Sequence, residues 1–201
     1  MTPRITWVLG QSGYGKTSLL RQLVAQGEGA WFVADFEAQI EPLRLRGGRL
    51  APAGRVWHDV EEFLAHYAGR APDPVSVFRD VEPDRVCDLA WASAPVTVVL
   101  DEVDLTLGSS RRPPHPSLHR LVHKGRHAKR ADGQYARVSV VLAARRFYNV
   151  HPDVRSQADL VYVFRVAEPR DRDALLDLGF PSAEAARLPS LGRGEFLRWA
   201  R

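Results

Sequence analysis

One cysteine, Cys87, is present in 201 residues. A single thiol excludes an internal disulfide and any cysteine-built zinc site. Its apolar company assigns it to the core rather than to nucleophilic chemistry. No apolar run approaches the ~20 residues of a membrane span. The N-terminus leads directly into a strand pattern with no signal-peptide signature. A soluble, non-secreted protein is therefore expected, with no intrinsic membrane span. Lysine is scarce too: Lys16, Lys124 and Lys129 stand against 25 arginines. Acidic residues are nearly missing from one stretch. Residues 109–149 hold ten Lys or Arg and only Asp132 in opposition, so this block is +9 while the whole chain is +4. A basic block inside an otherwise acidic chain suggests a polyanion contact.

Gly10-Gln11-Ser12-Gly13-Tyr14-Gly15-Lys16-Thr17-Ser18 fits G-x-x-x-x-G-K-[ST], the phosphate-binding loop of nucleotide triphosphatases (the Walker A motif). The apolar run Ile5–Leu9 precedes it, and Leu19, Leu20, Leu23 and Val24 follow on one helical face. This is the strand–loop–helix context that the chemistry needs. Glycines let successive N–H groups turn toward phosphate oxygens, and the helix N-terminus adds partial positive charge. Lys16 would reach the β and γ phosphates, and Thr17 would hold Mg²⁺.

Apolar runs then alternate with helical stretches, the pattern of an α/β parallel sheet. Strands are expected at 31–34, 56–58, 75–78, 96–100, 138–143 and 160–164. Helices are expected at 82–92, 116–129 and 151–158, with Asp59 capping another that turns Val60, Phe63, Leu64 and Tyr67 inward. Residues 42–56, rich in Gly, Pro and Arg, read as loop. Residues 1–166 are expected to form the phosphate-loop core, and 167–201 a small helix-and-strand appendage packed on it.

Four hydrophobic residues followed by Asp101-Glu102 form a Walker B pattern. Asp101 would serve Mg²⁺, and Glu102 would polarise an attacking water. The pair follows the phosphate loop by about 85 residues, and a βαβ sheet brings such strand ends together. The strand after it delivers Arg145 and Arg146 to the same edge, where a residue can sense the γ-phosphate.

Residues 138–166, through Ala144-Arg145-Arg146-Phe147, His151-Pro152 and Ser156-Gln157-Ala158-Asp159, resemble the sensor region of the FtsK–HerA superfamily of DNA-pumping ATPases. Gly125-Arg126-His127 is similar to the Gly-Arg-His-like element upstream of it. The small size is most like the packaging ATPases of membrane-containing icosahedral viruses, and somewhat like filamentous-phage export ATPases. Arg145 stands where the family carries glutamine, and Phe147 where it carries proline. The resemblance implies a RecA-like P-loop fold, ATP with Mg²⁺, and a homo-oligomeric ring, usually a hexamer, acting on double-stranded DNA. It also implies a capsid-vertex or membrane-protein partner and a place in host cytoplasm or virion. Arg126 is the first candidate for an arginine acting in the neighbouring subunit's site, with Arg146 and Arg155 as alternatives.

Arg111, Arg112, Lys129 and Arg130 are candidates to track a DNA backbone. His115, His119, His123 and His127 recur every four residues, where phosphate contact or packing competes with zinc binding. Two other classes stand beside the translocase. One is a small-molecule kinase, which the phosphate loop also suits but which the Asp-Glu pair argues against. The other is a binding module or switch without turnover.

Overall fold

The computed structural model describes residues 4–35, 37–106, 114–127, 129, 133–135 and 137–201. The chain opens with β1 (Ile5–Leu9), α1 (Lys16–Gln26) and β2 (Trp31–Ala34). Three short strands follow: β3 (Leu43–Arg46), β4 (Arg49–Pro52) and β5 (Gly54–Trp57). The middle of the chain is α2 (Val60–His66), β6 (Val75–Phe78), α3 (Pro83–Ser93), β7 (Val96–Leu100), α4 (Val103–Thr106) and α5 (Pro116–Lys124). It closes with β8 (Val138–Ala144), α6 (Pro152–Arg155), β9 (Leu160–Val163), α7 (Pro169–Asp177), α8 (Ser182–Arg187) and β10 (Leu197–Ala200).

Eight strands form one sheet in the order β10-β9-β1-β8-β7-β2-β6-β5. Every pairing is parallel except that of β10 with β9. The continuous apolar runs have a simple cause, because both faces of the inner strands are covered. On one face α1 lays Leu19, Leu20 and Val24 over Val8, Val33, Val99 and Val141. On the other, Trp7, Phe32, Leu100 and Leu142 pack with Phe63, Leu89, Leu121 and Leu175 from the remaining helices. Each such side chain taken from water contributes about 1.5–3 kcal/mol.

Three sequence expectations need correction. Residues 42–56 are not loop: β3 and β4 pair as a hairpin, and β5 joins the edge of the main sheet. Gly47 and Gly48 turn the hairpin at φ +55° and +78°, the signs that a tight two-residue turn requires. Arg44 anchors it, donating to the carbonyls of Val24 (2.6 Å), Gly27, Gly29 (2.9 Å) and Pro74 (3.0 Å). That guanidinium satisfies carbonyls left over where α1 ends. Helix α5 stops at Lys124 rather than 129, and the Gly125 carbonyl then accepts Val138 N–H (2.7 Å), tying the helix end to the start of β8. Leu64 faces solvent, 52% exposed, while Val60 and Phe63 turn inward. Asp59 does cap α2, its carboxylate accepting Glu62 N–H at 2.9 Å.

The last 35 residues contribute one strand to the sheet and two helices beside it. β10 pairs with β9, Trp199 meets Phe180 edge-on with ring centroids 6.0 Å apart, and Gly194 N–H donates to Tyr14 C=O at 3.1 Å. Among the described residues, no helix is long and apolar enough to cross a membrane.

Candidate nucleotide site

Strand register decides what meets at the site. Leu9 lies level with Ala144 on β8, and Leu100 on β7 lies level with Leu142. Gly10, Asp101 and Arg145 therefore leave the same edge of three adjacent strands, β1-β8-β7. At the usual strand spacing the outer two are about 10 Å apart. Ala34 of β2 is level with Leu100, so the chain after β2 reaches this edge as well.

The phosphate loop is held in a shape that requires its glycines. Gly10 and Gly15 sit at φ +140° and +112°. A Cβ on Gly10 would come within 2.7 Å of Phe164 Cβ, and one on Gly15 within 3.0 Å of Phe164 Cε1. Lys16 opens α1, whose first turn carries no acidic side chain, leaving the helix N-terminus electropositive. Its Nζ donates to the carbonyls of Gly10 (2.7 Å) and Gln11 (3.3 Å). Burial holds its pKa below the ordinary lysine value, while the charges of Asp101 and Glu102 oppose that fall.

Asp101 and Glu102 are 7% and 8% exposed. Glu102 lies at φ +53°, a left-handed conformation that costs a non-glycine residue about 1–3 kcal/mol. Its N–H donates to Asp101 Oδ1 at 2.8 Å. Burial pushes the Asp101 carboxyl up to about 6; the Glu102 N–H and Lys16 oppose the rise, and the charges of Glu102 and Glu37 add to it. Arg145 spans two acids, Glu102 Oε1 and Glu37 Oε1, each at 2.5 Å. Asp104 fixes the end of β8 by accepting the N–H groups of Arg145 (3.2 Å) and Arg146 (3.0 Å).

Lys16, Thr17, Asp101, Glu102 and Arg145 thus line one cleft of about 360 Å³, together with Ser12, Gly13, Gly15 and Ser18. Gln11 lies just behind, its N–H donating to Arg165 C=O at 3.0 Å. Thr17 and Asp101 offer hard oxygen donors of the kind Mg²⁺ takes alongside water and phosphate. Burial first, and then the neighbouring charges of Glu102 and Glu37, disfavour the ionised form of Asp101, and a divalent cation would favour it again. These residues fit the ion.

The sequence reading overlooked Glu37, Gln39 and Arg21, which also line this cleft. Asp35, 2% exposed, shapes the loop that carries Glu37 and Gln39 by accepting the N–H groups of Gln39 (3.0 Å) and Ile40 (2.8 Å). A signal was available: Asp35 directly follows an apolar strand, as Asp101 does.

No protein-family model and no curated protein matches the sequence. Solved structures do match its fold. The genome packaging NTPase B204 of Sulfolobus turreted icosahedral virus 2, in complex with ATP-gammaS, superposes with a TM-score of 0.71 at 16% identity, over 99% of this chain and 92% of that one. The same protein with sulfate gives 0.72 at 15%, over 100% and 92%. B204 of Sulfolobus turreted icosahedral virus, a DNA-packaging ATPase, gives 0.67 at 19%, over 100% and 94%. This chain has the fold of a viral genome-packaging NTPase.

Within that packaging-NTPase fold, the remaining candidates lie away from the chain's own cleft. Arg126 Nη1 pairs with both carboxylate oxygens of Asp159, at 2.7 and 2.9 Å. Asp159 Oδ2 also accepts Ile5 N–H at 2.7 Å, so this cluster sits where β1 begins, about 13 Å of strand from the phosphate loop. Arg146 turns to Glu168 (3.2 Å) and Asp171 (3.7 Å). Arg155 stacks 5.5 Å from the Phe147 ring. Lys129 is exposed, with Nζ 5.8 Å from the Tyr135 ring. Arg111, Arg112 and Arg130 lie outside the described residues. His115 caps α5, its Nδ1 accepting Ser117 N–H (3.4 Å) and its Nε2 lying 3.3 Å from Asp84. The rings of His119 and His123 stack at 4.2 Å.

Proposed function

We propose that this chain hydrolyses ATP to drive double-stranded DNA into a viral particle, working as a homo-oligomeric ring. The observation that carries this is a cleft joining a phosphate loop, a buried Asp-Glu pair and Arg145, in a fold shared over its full length with packaging NTPases.

Phosphoryl transfer asks a protein mainly to position groups and stabilise charge. The loop N–H groups and the start of α1 would hold the phosphates. Lys16 would sit against the β and γ oxygens, moving from the carbonyls of Gly10 and Gln11. Thr17 and Asp101 would hold Mg²⁺, which supplies further neutralisation of charge on the phosphates. Glu102 would orient the attacking water and accept its proton.

Arg145 links sensing to that step. Its guanidinium binds the carboxylate of Glu102, and a γ-phosphate is a competing bidentate partner. Moving from carboxylate to phosphate, Arg145 would turn Glu102 over to the water. Hydrolysis would then depend on a correctly seated triphosphate. Arg126, Arg146 or Arg155 would serve a neighbour's site, because none reaches this chain's own.

The deciding measurement is ATP turnover with and without double-stranded DNA, with mass in solution measured in the same samples. DNA-stimulated turnover by a ring-sized species is expected. Phosphate transfer to nucleosides in place of hydrolysis would replace this reading with a kinase, and turnover indifferent to DNA would remove the translocase.

A further inference from the structure

A second cleft, of about 380 Å³, lies across the phosphate loop from the first. Gly13, Gly15 and Ser18 line both, so the loop is a shared wall. The two sides differ in chemistry. The first carries Lys16, Asp101, Glu102 and Arg145. The second is lined by the aromatic rings of Tyr14, Phe164 and Phe196 and by Gln22 and Arg193, with no acidic side chain.

We propose that this second cleft seats the base of the nucleotide, with Phe196 as the stacking platform. The inference rests on the triphosphate reading above and adds a role for the C-terminal residues. Phe196 is 41% exposed, yet it is supported from behind by Phe164 (ring centroids 5.3 Å apart) and Tyr162 (5.5 Å). A half-exposed ring on an aromatic stack suits a planar heterocycle laid across it. The segment carrying it is tied to the loop by the Gly194–Tyr14 backbone bond. A turn in which Gly192 N–H donates to Glu195 Oε2 at 2.8 Å closes the segment. Tyr14 is held in turn, its hydroxyl accepting from Arg165 Nη1 at 2.8 Å. Arg193 Nη2 reaches the crest at Gly13, 3.8 Å from the position of a Cβ there, between the two clefts. Stacking rewards ring area over hydrogen-bond pattern, so purines are favoured over pyrimidines and adenine is little distinguished from guanine.

The experiment compares calorimetric binding of ATP, GTP, CTP and inorganic tripolyphosphate to the whole chain and to Phe196→Ala, Phe196→Trp and Lys16→Ala. In the native chain ATP and GTP are expected to bind within a few-fold of each other and above CTP and tripolyphosphate. Phe196→Ala should lose about 10- to 100-fold in ATP affinity with tripolyphosphate unchanged, and Phe196→Trp should restore ATP. Lys16→Ala should weaken every ligand. Equal loss of ATP and tripolyphosphate in Phe196→Ala would make Phe196 a prop for the loop and overturn the inference. So would a native chain that binds tripolyphosphate as tightly as ATP, although the phosphate site would then stand. A native chain that binds none of the four would overturn both.

Discussion

The two edges of the central sheet handle charge in opposite ways. At the edge where β1, β8 and β7 end, Lys16, Asp101 and Glu102 are buried to 8% exposure or less, and Glu102 occupies an unfavourable backbone region. The Asp101 carboxyl is pushed up to about 6. At the edge where β1 begins, Arg126, Asp159 and the Ile5 N–H form a closed set in which acid meets cation and orphan donor meets acceptor. The second edge balances its charges within the chain itself. The first bears a cost that folding alone does not explain, and a bound triphosphate with its cation would offset it.

The harshest test of that contrast is Lys16→Ala. It should abolish ATP hydrolysis, by at least about a hundredfold, with circular dichroism unchanged, because it removes the cation proposed to face the phosphates. Normal turnover by the variant would leave the costly edge without its explanation. Next comes Glu102→Gln, expected to lower kcat about 100- to 10,000-fold with ATP binding retained, as loss of the proton acceptor demands. Unchanged hydrolysis would reject that role.

Asp101→Asn separates stability from function. In the unfolded chain this carboxyl titrates near 3.8, and in the fold near 6. The folded state therefore holds the proton longer, and ionised Asp101 opposes folding increasingly as pH rises from about 4 through 6. At neutral pH the variant should gain up to about 3 kcal/mol, read as a Tm higher by roughly 6–12 °C, while Mg²⁺-dependent turnover collapses. A lower Tm would mean that the carboxylate is structural.

The smallest stability effect is expected at the other edge. Arg126→Ala removes a pair that is partly solvent-screened and should cost only about 1 kcal/mol, seen as a slightly lower urea midpoint. Its activity decides whether that edge is purely structural. If Arg126 serves a neighbour, Arg126→Ala subunits mixed with Lys16→Ala subunits should regain hydrolysis. Absence of rescue in verified mixed rings would assign Arg126 to stability alone.

Local pattern made much of the site readable. The glycines before Lys16 declare a loop that only a few backbone shapes satisfy, and an apolar run ending in Asp101-Glu102 declares a strand end. The same rule applied to Asp35 leads to Glu37, whose contact with Arg145 spans 108 residues and has no local signature. The hairpin at 43–52 read as loop because its composition is that of loops. What holds it is Arg44, through carbonyls 15 to 30 residues away.

Taken alone, the amino-acid order determined most element types outside the 43–52 hairpin, the phosphate loop and the strand-end acids, since these follow from periodicity and backbone freedom within a few residues. Tertiary structure decided which charges meet. Parallel register brought Arg145 to Glu102 and sent Arg126 to Asp159, and an antiparallel last strand carried Phe196 to the flank of the phosphate loop. Such pairings depend on how strands align across the sheet, and no short window of sequence contains that alignment.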